Sequence, residues 1–291
     1  MVIDGTPKKS ICEVMQKISR EIALWLSHKP KAGEESLTDW LLYQTGLHAS
    51  SISTMQFNKR VEGGVTGADW QWQAWFLTDS GCEGLRIQAK KLALNPTDNV
   101  NGLSYPKGTG KQMTLLLNDA RRHKMRAAYA YYSSGPHVAA CPYMKTDGVF
   151  LASAKDLQAN FIAPLTTTAT ASAIIGRTRP LSCLFCCVNA GNSRRAVTQL
   201  IAKMFPNERV AHLKPPLYVT DFLREVRKIE ARQVREQEAD GPAENDSTIV
   251  AEFRRKHRLK LVRTFALTVF DLRTGANMLS TQSPRHYRNC R

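Results

Sequence analysis

Apolar residues recur along this chain with two distinct periods, and these divide it into helices and strands. Ile11, Val14, Met15, Ile18, Ile22 and Trp25 fall near 3.6-residue spacing, which predicts an amphipathic helix over 10–28. The stretch His28-Lys29-Pro30-Lys31-Ala32-Gly33 ends it, since proline and glycine break helices. A second helix is predicted from Glu34 or Glu35 to about Gln44, burying Leu37, Trp40 and Leu41. Period two then takes over. Residues 51–61 read as a first strand through Ile52, Thr54 and Gln56. Over 68–76, Trp70, Trp72, Ala74 and Phe76 take one face, while Asp69, Gln71 and Gln73 take the other. After a turn at Asp79-Ser80-Gly81, a second alternating stretch sets Leu85, Ile87 and Ala89 against Gln88 and Lys90.

Further along, a polar Asn-, Gly- and Pro-rich loop over 95–110 leads to a helix over 111–123 and a tyrosine-rich strand over 126–132. A strand over 148–153, a short helix over 155–161, a compact apolar stretch over 181–188 and a helix over 193–205 follow. Pro215-Pro216 opens a helix from Leu217 to about Gln237. An acidic loop broken by Gly241-Pro242 covers 236–247, and 261–272 reads as a strand that rejoins an earlier sheet rather than starting a domain. No internal repeat is visible.

At 291 residues and 43% hydrophobic, the chain can bury one large core or two modest ones. It carries no apolar run long enough to cross a bilayer and no signal-peptide pattern at Met1-Val2-Ile3-Asp4-Gly5, so no membrane partner and a cytoplasmic location are expected. A net charge of +16 and an isoelectric point near 9.7 favour a polyanionic partner, because each neutralised phosphate releases counterions. The seven cysteines, an odd number without a secretory signal, read as reduced thiols. Cys183-x-x-Cys186 has the spacing of half a zinc site, but Leu184, Phe185 and Val188 around it suit thiols packing as small hydrophobes.

The chemistry gathers on the polar faces of the two alternating stretches. If they pair as adjacent strands, an acid (Asp69), an amide (Gln88) and an amine (Lys90) share one side of a sheet. Aspartate and glutamine are poor strand residues, so their convergence on one face is unusual for a merely solvated hairpin. The Glu62-Gly63-Gly64-Val65-Thr66-Gly67 connection permits close backbone approach to a phosphate, but no Gly-Lys-Ser/Thr follows and it is not a P-loop.

Asp69 followed by Gln88-x-Lys90 resembles the core of the PD-(D/E)XK, or restriction-endonuclease-like, nucleases in their QxK form. More narrowly, Thr66-Gly67-Ala68-Asp69-Trp70, Arg86-Ile87-Gln88-Ala89-Lys90-Lys91-Leu92 and Pro180-Leu181-Ser182-Cys183-Leu184-Phe185 resemble an uncharacterised bacterial family of that superfamily. The resemblance implies an α/β fold, a restriction-endonuclease-like mixed sheet flanked by helices, with a C-terminal α/β elaboration. It divides the chain into a nuclease core with its N-terminal helix over 1–135 and an elaboration over 136–291 packed on that core, or makes the two a single domain. A metal-dependent endonuclease acting on nucleic acid, double-stranded DNA above RNA, with a role in defence against foreign DNA, is the implied activity.

The resemblance also assigns roles. Asp69 and Glu35 would hold Mg²⁺ or Mn²⁺, with Gln88 offering its amide oxygen, and Lys90 would sit by the attacking water and scissile phosphate. Glu35 is equally a first-turn acid suited to a helix dipole, and Glu62 is an alternative second acid. Gln112 would approach the site from the helix after the third core strand, or simply begin that helix. Arg121, Arg122 and Lys124, and Arg254, Arg255 and Lys256, are basic clusters fitted to nucleic acid, the second also readable as a solvated helix face. No reader module is visible, so target choice falls to a homodimer or partner protein, to DNA ends or structure, or to the C-terminal half. The alternative functions are an inactive nucleic-acid-binding protein and a basic subunit of a larger complex.

Overall fold

In the computed structural model, residues 10–29, 31–48, 51–57, 71–92, 95, 97–100, 103, 106–107, 110–134, 147–163, 169–186, 193–206, 208, 212–238, 246–261 and 264–273 are described. Two helices, α1 (Ile11–His28) and α2 (Glu34–His48), precede strand β1 (Ile52–Gln56) and the long hairpin of β2 (Gln71–Thr78) and β3 (Gly81–Lys91). A two-residue ribbon, β4 (Pro106–Lys107) and β5 (Gly110–Lys111), leads into α3 (Gln112–Arg122), then β6 (Arg126–Tyr132) and β7 (Val149–Ser153). Helix α4 (Ala154–Leu157) continues as a π-helical turn (Gln158–Ile162), followed by α5 (Ala171–Ile175), β8 (Arg179–Pro180) and α6 (Cys183–Cys186). Three longer helices, α7 (Ser193–Met204), α8 (Leu217–Glu238) and α9 (Asp246–Lys256), come before the last strand, β9 (Thr264–Asp271).

Seven strands form one mixed sheet in the order β1-β9-β2-β3-β6-β7-β8. The hairpin is antiparallel, and β6 lies parallel to β3 as the expected fourth core strand, reached through α3. The strand expected to rejoin an earlier sheet does so: β9 lies between β1 and β2, antiparallel to the first and parallel to the second. Strands from both halves of the chain therefore share one sheet, and the expected boundary near 135/136 falls outside the described residues.

Helices cover both sheet faces, giving the predicted α/β class. One core packs Val14, Ile18 and Ile22 of α1, Leu37 and Leu41 of α2, and Phe205 against Trp72, Phe76, Leu85, Ile87 and Ala130. The other packs Met113 and Leu116 of α3, Ile174 of α5, Phe222 of α8 and Phe253 of α9 against Trp75, Leu77, Tyr129 and Val269. The alternation read in the sequence thus sorts the two faces of the hairpin, but the face holding Gln71 and Gln73 is buried too, with Trp75 and Leu77 on it. Among the described residues, no helix is long and apolar enough to cross a membrane.

Three expectations are corrected. Helix α2 runs to His48 rather than ending near Gln44, and α9 already begins at Asp246 inside the stretch read as loop. Cys12 and Cys186 are joined in a disulfide instead of both being free thiols, because α1 and α6 pack against each other with those side chains face to face. Cys186 is thereby committed to Cys12, which leaves Cys183 a buried thiol among apolar neighbours.

Candidate functional site

Gln88 and Lys90 stand two residues apart near the end of β3, on the face opposite Leu85, Ile87 and Ala89. Gln88 is fully buried and Lys90 half-buried. Across the antiparallel pairing Gln88 faces Gln71. On the parallel side it registers with Tyr129, and Lys90 with Tyr131. Alternation thus supplies this face with an amide, an amine and two phenols, all from neighbouring strands.

Helix α2 packs on the other sheet face, with Leu85, Ile87 and Ala89, and brings acid to the end of β3. Its first turn holds Glu34 and Glu35, which suit the positive end of the helix dipole. Glu34 Oε1 accepts a hydrogen bond from the Lys91 backbone N–H at 2.7 Å, and Lys91 Nζ donates to the Ala32 carbonyl at 3.3 Å. The acidic head of α2 is therefore fastened to the end of the strand that carries Gln88 and Lys90. Glu35, half-buried, occupies the same turn. Sequence reading chose Glu35; Glu34, the neighbour making the backbone contact, was missed, and the acidic pair at a helix start was the available signal.

Gln112 begins α3 and is buried. The chain turns from the end of α3 straight into β6, whose first residue registers with Leu85, so the start of α3 lies toward the end of the sheet that holds Lys90 and Tyr131. A buried ion pair holds this helix to β3: Arg86 Nη2 lies 3.2 Å from Asp119 Oδ2, and Arg86 Nε donates to Gln71 Oε1. Arg86 is 0% and Asp119 6% exposed, so neither charge is solvated by bulk water. A second buried pair, Arg126 with Glu83, ties the starts of β6 and β3 together with Nε–Oε2 3.0 Å.

Gln88 Oε1, Gln112 Oε1 and Tyr131 Oη are among the buried polar atoms of these elements that have no hydrogen-bond partner among the described residues. Buried polar atoms are normally paired, and unpaired ones mark places where water, an ion or a ligand belongs. Burial raises the Tyr131 phenol well above its ordinary value, with the Tyr129 phenol and Glu34 carboxylate adding to it. Tyr131 is accordingly a neutral hydrogen-bond donor, not a phenolate.

Asp69 and Glu62 lie outside the described residues. The donors that are described, the carboxylates of α2 and the amide oxygen of Gln88, are hard oxygens of the kind Mg²⁺ and Mn²⁺ take. Among the described residues no group of three or more His, Cys, Asp or Glu gathers to hold a metal. The oxygen set fits a hard cation in kind, with Asp69 needed to add to it.

The basic clusters sit elsewhere. Arg121, Arg122 and Lys124 are exposed at the far end of α3 from Gln112, about 16 Å along an eleven-residue helix. On α9, Arg255 and Lys256 are exposed. Arg254 lies over the Phe57 ring at 5.6 Å, while Lys256 Nζ donates to Asp221 Oδ2 at 2.8 Å.

The chain belongs to a family of unknown function (DUF6615), whose model matches residues 11–259. No curated protein and no solved structure matches it.

Proposed function

We propose that this DUF6615 chain is a metal-dependent endonuclease of the PD-(D/E)XK kind, acting on nucleic acid and on double-stranded DNA above RNA. The observation that carries this reading is the fastening of the acidic head of α2 to the backbone at the end of β3, the strand whose other face carries Gln88 and Lys90. Resemblance at Asp69 and Gln88-x-Lys90 supplies the family; the Glu34–Lys91 contact and the unsatisfied Gln88 and Gln112 oxygens support it. The basic charge of the chain fits a phosphate backbone as partner.

Asp69 and Glu35 would hold Mg²⁺ or Mn²⁺, with the Gln88 amide oxygen as a neutral third donor. Bound there, the ion supplies charge neutralisation on the phosphate and a more acidic water. Lys90 places an ammonium beside the scissile phosphate, where it orients the nucleophile and offsets the negative charge that develops in the transition state. The Tyr131 hydroxyl, next to Lys90 across the β3–β6 pairing, is placed to donate to an anionic oxygen at the same end. Gln112, at the head of α3, would position the incoming phosphate or its water. A cytoplasmic setting, a role in defence against foreign DNA, and a homodimer or partner that selects the target belong to the same proposal.

The test is a substrate panel. The purified chain is incubated with double-stranded DNA, single-stranded DNA and RNA, each with Mg²⁺, Mn²⁺ or a chelator. Metal-dependent cleavage, strongest on duplex DNA, is the expected result. A chain that binds these nucleic acids and cuts none of them with either metal would instead be an inactive binding protein.

A further inference from the structure

A cavity of about 980 Å³ opens at the end of α3 remote from Gln112. Its walls come from α3, the turn into β6, α4 with the following π-helical turn, and the segment around Glu208 and 212–214. Arg121, Lys124, Lys155 and Lys214 line it, and all four are exposed. Leu117, Met125 and Ala127 give the same space an apolar side. Among the described residues Glu208 is its only lining carboxylate, with Oε1 accepting from Ser153 Oγ at 3.0 Å and Oε2 from the Ala127 N–H at 3.4 Å. Four cations against one acid make the cavity a site for an anion, and the apolar side makes it more than a phosphate hole.

Lys124 adds an independent sign. Its φ is 53°, and among the described residues it is the only non-glycine in the left-handed region. This left-handed residue closes the C-terminal turn of α3, where the Met125 N–H donates to the Ala120 carbonyl at 2.8 Å, and it sets the Lys124 side chain at the cavity wall. The turn itself is braced. The Lys124 carbonyl accepts from His212 Nε2 at 2.7 Å, and the His212 ring packs edge-on against the buried Trp75 with centroids 5.3 Å apart. The backbone that carries the Lys124 side chain is thus anchored to the cavity wall.

We propose that this cavity binds a mononucleotide-sized organic phosphate. The phosphate meets Arg121, Lys124 and Lys214 at the mouth, where a guanidinium fork and ammonium groups suit its oxygens. The base lies along Leu117, Met125 and Ala127, and a ring amine or sugar hydroxyl donates to Glu208. The volume lies near the upper end of the range for small-molecule sites, roughly 300–1,000 Å³, and accommodates such a ligand. This site is separate from the nuclease reading and stands or falls without it.

Titration calorimetry on the full chain tests it, with adenosine monophosphate, guanosine monophosphate, ribose phosphate and inorganic phosphate as probes. The expected result is one mononucleotide per chain, bound more tightly than ribose phosphate and more tightly still than inorganic phosphate. Lys124→Asn combined with Lys214→Gln should weaken it roughly tenfold or more, as loss of charge-assisted hydrogen bonds does. Thr114→Trp, which fills the cavity from the exposed face of α3 without removing a charge, should weaken it as well, and Lys90→Ala should leave it unchanged. The proposal is overturned if neither mononucleotide binds, if inorganic phosphate binds as tightly, or if only Lys90→Ala affects the titration.

Discussion

Glu34 and Lys91 are 57 positions apart, yet the carboxylate of one accepts the backbone N–H of the other at 2.7 Å. That contact fastens the head of α2 to the end of β3. It also shows how little of the assembly depends on neighbouring residues in the chain.

The Arg86–Asp119 pair should govern how well Gln112 is presented. Asp119→Ala leaves a guanidinium buried without its counter-ion, and breaking a buried pair from one side costs about 3–5 kcal/mol. Replacing both residues with apolar ones of similar volume should cost much less. Denaturant melts of the single and double variants measure this; equal losses would mean the pair itself, and not the stranded charge, carries the stability.

Gly148 should tolerate no side chain. A Cβ there would lie 2.5 Å from the Ala23 nitrogen and 2.6 Å from the Ser19 carbonyl oxygen, both backbone atoms of α1. Ser19 Oγ accepts from the Gly148 and Val149 N–H groups at 3.0 and 3.2 Å, pinning the helix against β7. Gly148→Ala should therefore destabilise by about 1–3 kcal/mol, the usual cost of overpacking. Ser19→Ala should cost a similar amount by stranding two buried donors, again about 1–3 kcal/mol. Thermal and denaturant melts check both, and an unchanged midpoint for Gly148→Ala would contradict the close packing of α1.

Much of the fold was legible because alternation and helical period are local. Trp72, Ala74 and Phe76 fell on one face as read, and α1 buries Val14, Met15, Ile18 and Ile22 as its spacing implied. What the sequence hid was nonlocal pairing. Nothing near Gln73 announces that Tyr218, 145 positions later, donates to its Oε1 at 2.9 Å, or that Thr264 Oγ1 accepts from its Nε2 at 2.8 Å. Those partners satisfy Gln73, and Arg86 satisfies the Gln71 oxygen, so a strand face with two glutamines can lie buried rather than solvated. The insertion of β9 between β1 and β2 is equally invisible locally, because its apolar run would suit any interior strand. The placing of Gln88 and Lys90 on one face of a strand was legible, because a spacing of two is local. Which acid of α2 lies against the end of β3 was not legible, because the Glu34–Lys91 contact joins residues 57 positions apart.

Acidity should act through Glu208. Burial raises its carboxyl above the usual value, against the lowering effects of Ser153, the Ala127 N–H, Arg126 and Lys155. A raised folded value means the native state holds the proton more tightly than the unfolded chain. This contribution to stability is therefore complete below the ordinary value of 4.5 and lost as pH rises through the folded one. Glu208→Gln should remove that portion of the pH dependence and leave the chain more stable near neutrality. Unfolding free energies measured across mildly acidic pH check it; an unaltered profile would contradict the assignment.

Reduction should loosen the α1–α6 contact. The Cys12–Cys186 bridge closes 174 positions of chain, and loss of a native disulfide typically costs about 2–4 kcal/mol. A thiol reductant should lower the melting midpoint of the wild-type chain and have no such effect on Cys12→Ala. Peptide mapping without reduction should recover the two cysteines linked.

The most direct test of the central claim is single-turnover cleavage of duplex DNA by Lys90→Ala beside the wild-type chain, with binding measured on the same samples. Lys90 is half-buried and forms no ion pair among the described residues, so its loss should leave the fold and DNA affinity nearly intact. The account predicts a cleavage rate lower by about 10²–10³-fold, the scale of removing one group that stabilises transition-state charge. A variant that cuts as fast as wild type, or a wild-type chain that never cuts with Mg²⁺ or Mn²⁺, would contradict it.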